Sequence, residues 1–383
     1  MKFSIVSILA LACAANAATS SGVLKSEGIS SEFEDWMKHH RKNYETPSDL
    51  LTAHKAFQSN LKVIELLNAD ENDTAEYGTT KFSDMSPKEF KETMLLPSFS
   101  PIPEGSTKFT PSLSDIPDSY DYRDEGAVTS VKDQGALGTC WIFSTVGNLE
   151  GQRFLNGQDL VDLSVEHVLE CDATTDDEAG DCGVFGGWPY LALQGIIERG
   201  GIFSDEDMSY CAGIGYGKDG YCLPCMADGY SMKMCGDHTD DDGGIPLYCE
   251  PETTLGQGDA KLCKGESSDV KFSYTISDWT DASSDSSDDI AAALVEIGPL
   301  SVALDATKLQ FYKGGVFNPS KCSTTPNHAV LMVGYGTDET DGDYFIIKNS
   351  WAEKWGEDGY FRIAKTEGDG TCAINNYVVS GVE

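Results

Sequence analysis

The stretch Gln134–Ser144, QGALGTCWIFS, decides how the rest of the 383-residue chain is read. It carries one cysteine, Cys140, behind a glycine-bearing turn and ahead of an apolar run. Trp141, Ile142, Phe143, Val146 and Leu149 recur at spacings that suit a buried helix. Cys140 then falls at the helix N-terminus, where main-chain N–H groups and the helix dipole favour a thiolate. Such a thiolate needs a base to pair with it and a donor for the oxyanion it creates. Gln134 is the candidate donor, its side-chain amide joining the Cys140 N–H around the developing charge. A buried structural cysteine in an ordinary core helix is the alternative. The joint arrival of the Gln, two glycines and the Cys-Trp pair weighs against it.

The composition limits the partners. A formal charge of −36 repels nucleic acid and anionic membrane surfaces, so neither is expected. Residues 1–17 read as a secretory signal: Lys2, the apolar run Ile5 to Ala12, and the small-x-small site Ala15-Asn16-Ala17. That run is too short to span a bilayer, and no later stretch is long enough. Of 12 cysteines, Cys13 leaves with the signal and Cys140 is reserved as the nucleophile. The remaining ten permit five disulfides, as expected in an oxidising compartment. A zinc site from Cys222, Cys225, Cys235 and Cys249 is the rival for some of them. Asn72-Asp73-Thr74 is a glycosylation acceptor pattern, and an unmodified loop fits it equally well.

Helical spacing recurs from Pro47 through Leu51, Phe57, Leu61, Ile64 and Leu67, after an apolar-aromatic cluster of Phe33, Trp36 and Met37. Pro97, Pro101, Pro103 and Pro111 make residues 97–113 an extended linker and a cleavage region. Beyond it the chain predicts a helix over 140–155 and another over Ser164–Glu170, where His167 reads as a surface or partly buried residue. Residues 211–263, rich in Gly, Asp and Cys, read as a disulfide-stapled surface insertion. Lys271–Trp279 reads as a strand, and Asp281–Asp289 as an acidic loop capping a helix over Ile290–Ile297. Alternating or apolar runs at Leu300–Leu304, Ala329–Val333, Tyr344–Lys348 and Tyr360–Ile363 predict an antiparallel sheet.

The Gln134–Ser144 stretch resembles the papain-like cysteine proteases, whose local signature is QGxxGxCW. The resemblance runs from about residue 31 to the C-terminus, outside the insertion. Phe57, Asn60, Ile64 and Asn68 are similar to half of the inhibitory prosegment motif of cathepsin L-like proteases, with Ala53 where arginine is usual. Gly78-x-Thr80-x-Phe82-x-Asp84 resembles a second prosegment motif, with Thr80 in place of Asn. The resemblance implies an α+β, two-lobed papain-like fold: a helical lobe plus an antiparallel β-barrel-like lobe, preceded by a helical prosegment. Residues 1–17 would be the signal, 18–113 the prosegment and 114–383 the peptidase.

Between the linker and the C-terminus stand three histidines, His167, His238 and His328. His328 opens an apolar run and matches the family's catalytic base, with Asn327 where Asp is usual. Lys348-Asn349-Ser350-Trp351 matches the family's NSW signature, so Asn349 would orient the imidazole and Trp351 would shield their bond. The 188 positions from Cys140 to His328 exceed the ~130–150 usual for the family, and the insertion accounts for the excess. Gly186 and Gly187 would edge the cleft. Trp188, Pro189, Ala303, Pro326, Ala329 and Tyr377 would line the pocket for the second residue before the cut, favouring Val or Leu. The family's disulfide at this edge is replaced by Leu137 and Val184, an apolar contact, although a shifted pairing of Cys182 stays open. Cys171–Cys222 is the pair that the resemblance implies. The implied activity is a monomeric, cofactor-free and metal-free endopeptidase acting on peptide or protein substrates, inhibited by its own prosegment. It would work in the lysosome, the vacuole or outside the cell. A cathepsin B-like carboxydipeptidase gated by the insertion and a catalytically dead binding protein are the rival readings.

Overall fold

A computed structural model of the chain describes residues 28–96, 102–112, 116–177, 179–210, 231–235, 263, 265 and 271–383. The expected signal, and Cys211, Cys222, Cys225, His238 and Cys249 of the insertion, lie outside the described residues.

The N-terminal part is a helical unit. Helices α1 (Ser31–His40) and α2 (Pro47–Leu67) cross on a cluster of Phe33, Trp36, Leu50, Ala53 and Phe57. Ser30 caps α1, and a Thr46–Asp49 capping box with Pro47 starts α2, satisfying N–H groups that the first turn leaves unpaired. Ala53 lies in this apolar cluster, so the missing arginine leaves packing rather than an ion pair. A short strand β1 (Glu76–Tyr77) and helix α3 (Pro87–Met94) follow. Asn60 Nδ2 donates to the Ser83 and Met85 carbonyls, and Trp36 Nε1 to the Thr80 carbonyl, fixing the intervening loop. Asp84 accepts from Tyr44 Oη and Lys42 Nζ.

After strand β2 (Tyr120–Asp121) comes helix α4 (Cys140–Leu155), buried over most of its length. Helices α5 (Val165–Cys171), α6 (Pro189–Arg199) and the single turn α7 (Met232–Cys235) complete this lobe. The second lobe holds β3 (Asp278–Asp281), α8 (Ser287–Ile297), β4 (Leu300–Leu304), β5 (Tyr312–Gly314), β6 (Val316–Phe317), β7 (His328–Asp338), β8 (Gly342–Lys348), β9 (Tyr360–Ala364) and β10 (Val378–Val382). The sheet order is β3-β10-β4-β7-β8-β9-β6, with β2 beside β7. Its pairs are antiparallel except β6–β9. Separate apolar clusters fill the two lobes, one around Trp141, Leu149 and Leu191, the other around Ile290, Met332 and Phe345.

Several expectations need correction. Cys171 pairs with Cys263, not Cys222. Cys182 pairs with Cys235, and Cys322 with Cys372. A Cys235 held in a disulfide is no thiolate, which removes one ligand from the rival zinc set. Lys271–Trp279 is not one strand: regular pairing begins at Asp278, and Tyr274 makes only an isolated bridge to Ile202. His167 is fully buried against Phe203 rather than at the surface or partly buried. Helices α3 and α6 were not expected. Both begin at a proline, which helix first turns accept because that N–H is unpaired anyway. Linker residues 107–109 lie on the β3 edge, with Phe109 N donating to Asp281 O and Asp281 N to Thr107 O (both 2.8 Å).

Candidate active site

Strand β7 brings His328 opposite the start of α4. His328 is fully buried, and its Nε2 lies 2.8 Å from Asn349 Oδ1. Asn349 Oδ1 also accepts from the Ser350 N–H at 2.8 Å, which identifies that atom as oxygen. The imidazole must therefore donate through Nε2, and Nδ1 carries the lone pair. That Nδ1 makes no hydrogen bond in the protein, so it is available as a base. Trp351 stacks on the ring with centroids 4.7 Å apart, and Trp355 meets Trp351 edge-on at 4.8 Å.

Cys140 is the free cysteine among the described residues, at the first position of α4. The N–H groups of Ala329, Trp141 and Cys140 itself reach its sulfur. Ala329 directly follows His328, so one of these N–H groups belongs to the strand that carries His328. Burial nevertheless pushes the thiol up to about 12, outweighing those donors. Burial likewise pulls His328 down to about 4, partly opposed by its bond to Asn349. Burial thus favours the neutral form of each group in this covered state.

Gln134 is fully buried with its amide oriented: Nε2 donates to Leu137 O at 2.8 Å, and Oε1 accepts from Ser350 Oγ at 2.6 Å. One N–H of the amide remains for another acceptor. Two residues here were not identified from sequence as functional. Ser350 sits inside the quoted NSW motif, which held the only available signal. Tyr210 Oη donates to Gln134 O (2.8 Å), lies 3.0 Å from Thr139 Oγ1, and packs edge-on against Phe143. Nothing in its sequence surroundings marks it.

The cleft's glycine edge follows. Gly138 N donates to Val184 O at 2.8 Å, and Leu137 and Val184 are buried in the same apolar cluster. A Cβ at Gly187 would stand 2.6 Å from the Trp141 ring, which explains the glycine. Trp188 N donates to buried Asp181 Oδ1 at 2.7 Å, and Pro189 opens α6. Ala303 pairs with Ala329 between β4 and β7, and both share a cluster with Cys140, Trp188 and Tyr377. Pro326 and Tyr377 line a cavity of about 710 Å³, distinct from one of about 910 Å³ beside Gly186–Trp188. Trp351 stands apart from these residues, behind His328.

Asn327 is buried, donates to Asp305 Oδ1 at 2.8 Å and accepts from Ala306 N at 2.9 Å. An amide satisfies both partners, whereas an aspartate would oppose one carboxylate with another.

The N-terminal unit covers this site. β1 pairs with β5, Thr80 Oγ1 donates to Gln310 O (2.6 Å), and Gln310 Nε2 returns bonds to the Phe82 and Met85 carbonyls. Phe82 and Phe90 meet Trp351 edge-on at 5.3 and 5.4 Å. Lys81 bridges to Asp133 at 2.8 Å. Leu96 N donates to Asn327 O at 2.7 Å, and its side chain lies against Gly138 and Gly186 in the cluster that holds Cys140. The chain leaving α3 thus runs between the two cleft walls. Among the described residues, no group of three or more His, Cys, Asp or Glu side chains gathers as a metal site.

Comparison with known proteins agrees with this fold. Residues 116–382 match the papain family of cysteine proteases, and residues 33–90 the cathepsin propeptide inhibitor domain. The chain belongs to the papain family of cysteine proteases and carries a cathepsin-type propeptide. It is 32% identical to mouse (Mus musculus) cathepsin F over 356 residues, covering 91% of this chain and 64% of the mouse protein. It is 33% identical to cysteine proteinase 15A of pea (Pisum sativum) over 359 residues, covering 90% of this chain and 84% of the pea protein. The structure superposes on digestive procathepsin L 3 of Tenebrio molitor larval midgut with a TM-score of 0.69 at 29% identity, covering 92% of this chain and all of the other (100%). A recombinant stem bromelain precursor gives 0.68 at 28%, covering 92% and 97%.

Proposed function

We propose that the protein is the zymogen of a cysteine endopeptidase that works through Cys140, His328 and Asn349 with Gln134 as oxyanion donor. The observation that carries this reading is the 2.8 Å His328 Nε2–Asn349 Oδ1 contact, which leaves Nδ1 unpartnered. In the first step the Cys140 proton passes to Nδ1 and the sulfur bonds to the scissile carbonyl carbon. The resulting oxyanion is held by the Cys140 N–H and the Gln134 amide. The C–N bond then breaks, with His328 returning the proton to the leaving amine. Water, deprotonated by His328, hydrolyses the thioester and frees Cys140. Gly186, Gly187, Trp188, Pro189, Ala303, Pro326, Ala329 and Tyr377 form the peptide-binding side of the cleft, and Trp351 keeps water off the His328–Asn349 bond. Buried Tyr377 makes the pocket for the second residue before the cut shallow, suited to Val or Leu.

The prosegment, residues 18–113, is the inhibitor, and the peptidase spans 114–383. Acid loosens the cover. His328 and His40 are each lowered from 6.5 to about 4, chiefly by burial, and His54 is lowered by the same cause. A histidine whose folded pKa is depressed stabilises the covered state above its free value near 6.5, and that contribution is lost as pH falls toward 4. This fits maturation in an acidic lysosomal or vacuolar compartment, or after secretion. The disulfides fit that oxidising route.

Incubating the purified precursor at pH 4.5 and pH 7, then weighing it intact after exposure to an epoxide thiol inhibitor, tests the proposal. Loss of a fragment ending near residue 113 at acid pH, with one label on Cys140, is the expected result. An intact, unlabelled chain at both pH values would overturn it.

A further inference from the structure

The described part of the insertion returns to the cleft. Met234 and Cys235 close a helical turn by donating to Ser231 O at 3.1 and 2.9 Å. The Cys182–Cys235 disulfide fastens that turn to the residue just ahead of the glycine loop. Met234 Cβ would lie 3.0 Å from a Cβ at Gly180, so the turn packs closely on this glycine and an added side chain would crowd it. Met234 and Cys235 line the cavity of about 910 Å³ together with Ala179, Gly180, Phe185 and Trp188. Prosegment residues along α3, together with Leu95 and Leu96, line the other side of this cavity in the precursor and would leave with the prosegment. What stays behind is an apolar wall.

We propose that Met234, pinned by the Cys182–Cys235 disulfide, forms with Gly180 and Phe185 a subsite for an apolar side chain at the third residue before the cut. The inference rests on the peptidase reading above. Successive side chains of an extended peptide point to opposite sides of its backbone. The pocket assigned to the second residue lies toward Ala329 and Tyr377, so the third residue faces the other side of the Gly186–Gly187 edge, where Met234 stands. Asp181, the carboxylate between Gly180 and Cys182, is turned inward and engaged by Trp188 N. A flexible thioether adapts to several apolar shapes, which predicts preference by polarity more than by size.

The test uses full-length precursor, converted at acid pH, in native form and as Met234→Leu, Met234→Lys and Lys233→Ala. Lys233 is the exposed neighbour on the same turn. Peptides identical except at the third residue before the cut are compared by kcat/KM, and each enzyme is titrated with an epoxide thiol inhibitor. The native enzyme should prefer Leu over Asp there by about tenfold. Met234→Leu and Lys233→Ala should keep that ratio. Met234→Lys should abolish or invert it, while the profile at the second residue keeps its shape. A native enzyme that labels on Cys140 yet shows a flat third position, or a Met234→Lys profile equal to native, would overturn the subsite alone. Protein that neither labels nor cleaves would overturn the peptidase reading with it.

Discussion

The two walls of the cleft are built by different means. The His328 wall is sheet: β7 lies between β4 and β8, and Leu304 and Ala303 stand in register with His328 and Ala329. Main-chain ladders position it, so few particular side chains are needed to bring His328 and Asn349 together. The glycine wall has no ladder. Single contacts hold it: Cys182 N to Gly186 O, Gly138 N to Val184 O, Trp141 Nε1 to Gly183 O, Trp188 N to Asp181, and the Cys182–Cys235 disulfide. On the proposed function, the first wall carries chemistry on a regular scaffold, and the second carries selectivity on contacts that can be exchanged one at a time.

That difference predicts how variants divide. On the catalytic wall, Cys140→Ala or His328→Ala should cut kcat/KM by at least ~10⁴-fold with no change in circular dichroism. A residual rate within tenfold of native would break the comparison. On the glycine wall, replacing Cys182 and Cys235 together by serine should cost ~2–4 kcal/mol of stability and alter selectivity while leaving Cys140 open to labelling. Urea unfolding of the precursor reads the first effect and inhibitor titration the second.

Smaller effects sharpen the picture. Asn327→Asp would set a carboxylate against Asp305, raising the pKa of one member of the pair. A carboxyl whose folded pKa is raised destabilises the fold above its unfolded value near 3.9 and is harmless below it. The variant should melt like the native protein at pH 4 and several degrees lower at pH 7. Equal melting temperatures at both pH values would show that water screens the pair. Tyr210→Phe removes one hydroxyl from Gln134 O and Thr139 while keeping the ring against Phe143. About 1 kcal/mol, or a several-fold fall in kcat with KM unchanged, is expected if the hydroxyl steadies the oxyanion donor. A rise in KM alone would assign Tyr210 to substrate binding instead.

The catalytic wall was also the legible one. Cys140, His328 and Asn349 each sit inside a short local pattern, and the strand Leu300–Leu304 follows from its apolar run alone. The glycine wall was legible only where its own glycines speak. Its fastening depends on Cys235, 53 positions from Cys182, and no local pattern selects one partner among several cysteines. The same gap misassigned Cys171, whose partner lies 92 positions away. Helix α6 was hidden because Gly186-Gly187-Trp188-Pro189 reads as a loop, although the proline is the helix's first residue. His167 reads as a surface or partly buried residue, whereas it is buried along with Glu166 and Glu170 of the same helix.

The account turns on one physical claim: Cys140 and His328 are buried in the precursor, where the prosegment runs across the cleft, and burial disfavours the charged form of each. The most direct measurement is the alkylation rate of Cys140 by iodoacetamide between pH 6 and 8, in intact precursor and in converted enzyme. With the thiol at about 12 and the imidazole at about 4, the covered precursor should react at least ~10²-fold more slowly than the converted enzyme across that range. Equal rates in the two forms would mean that the prosegment neither covers the pair nor sets its charge, and would contradict the account.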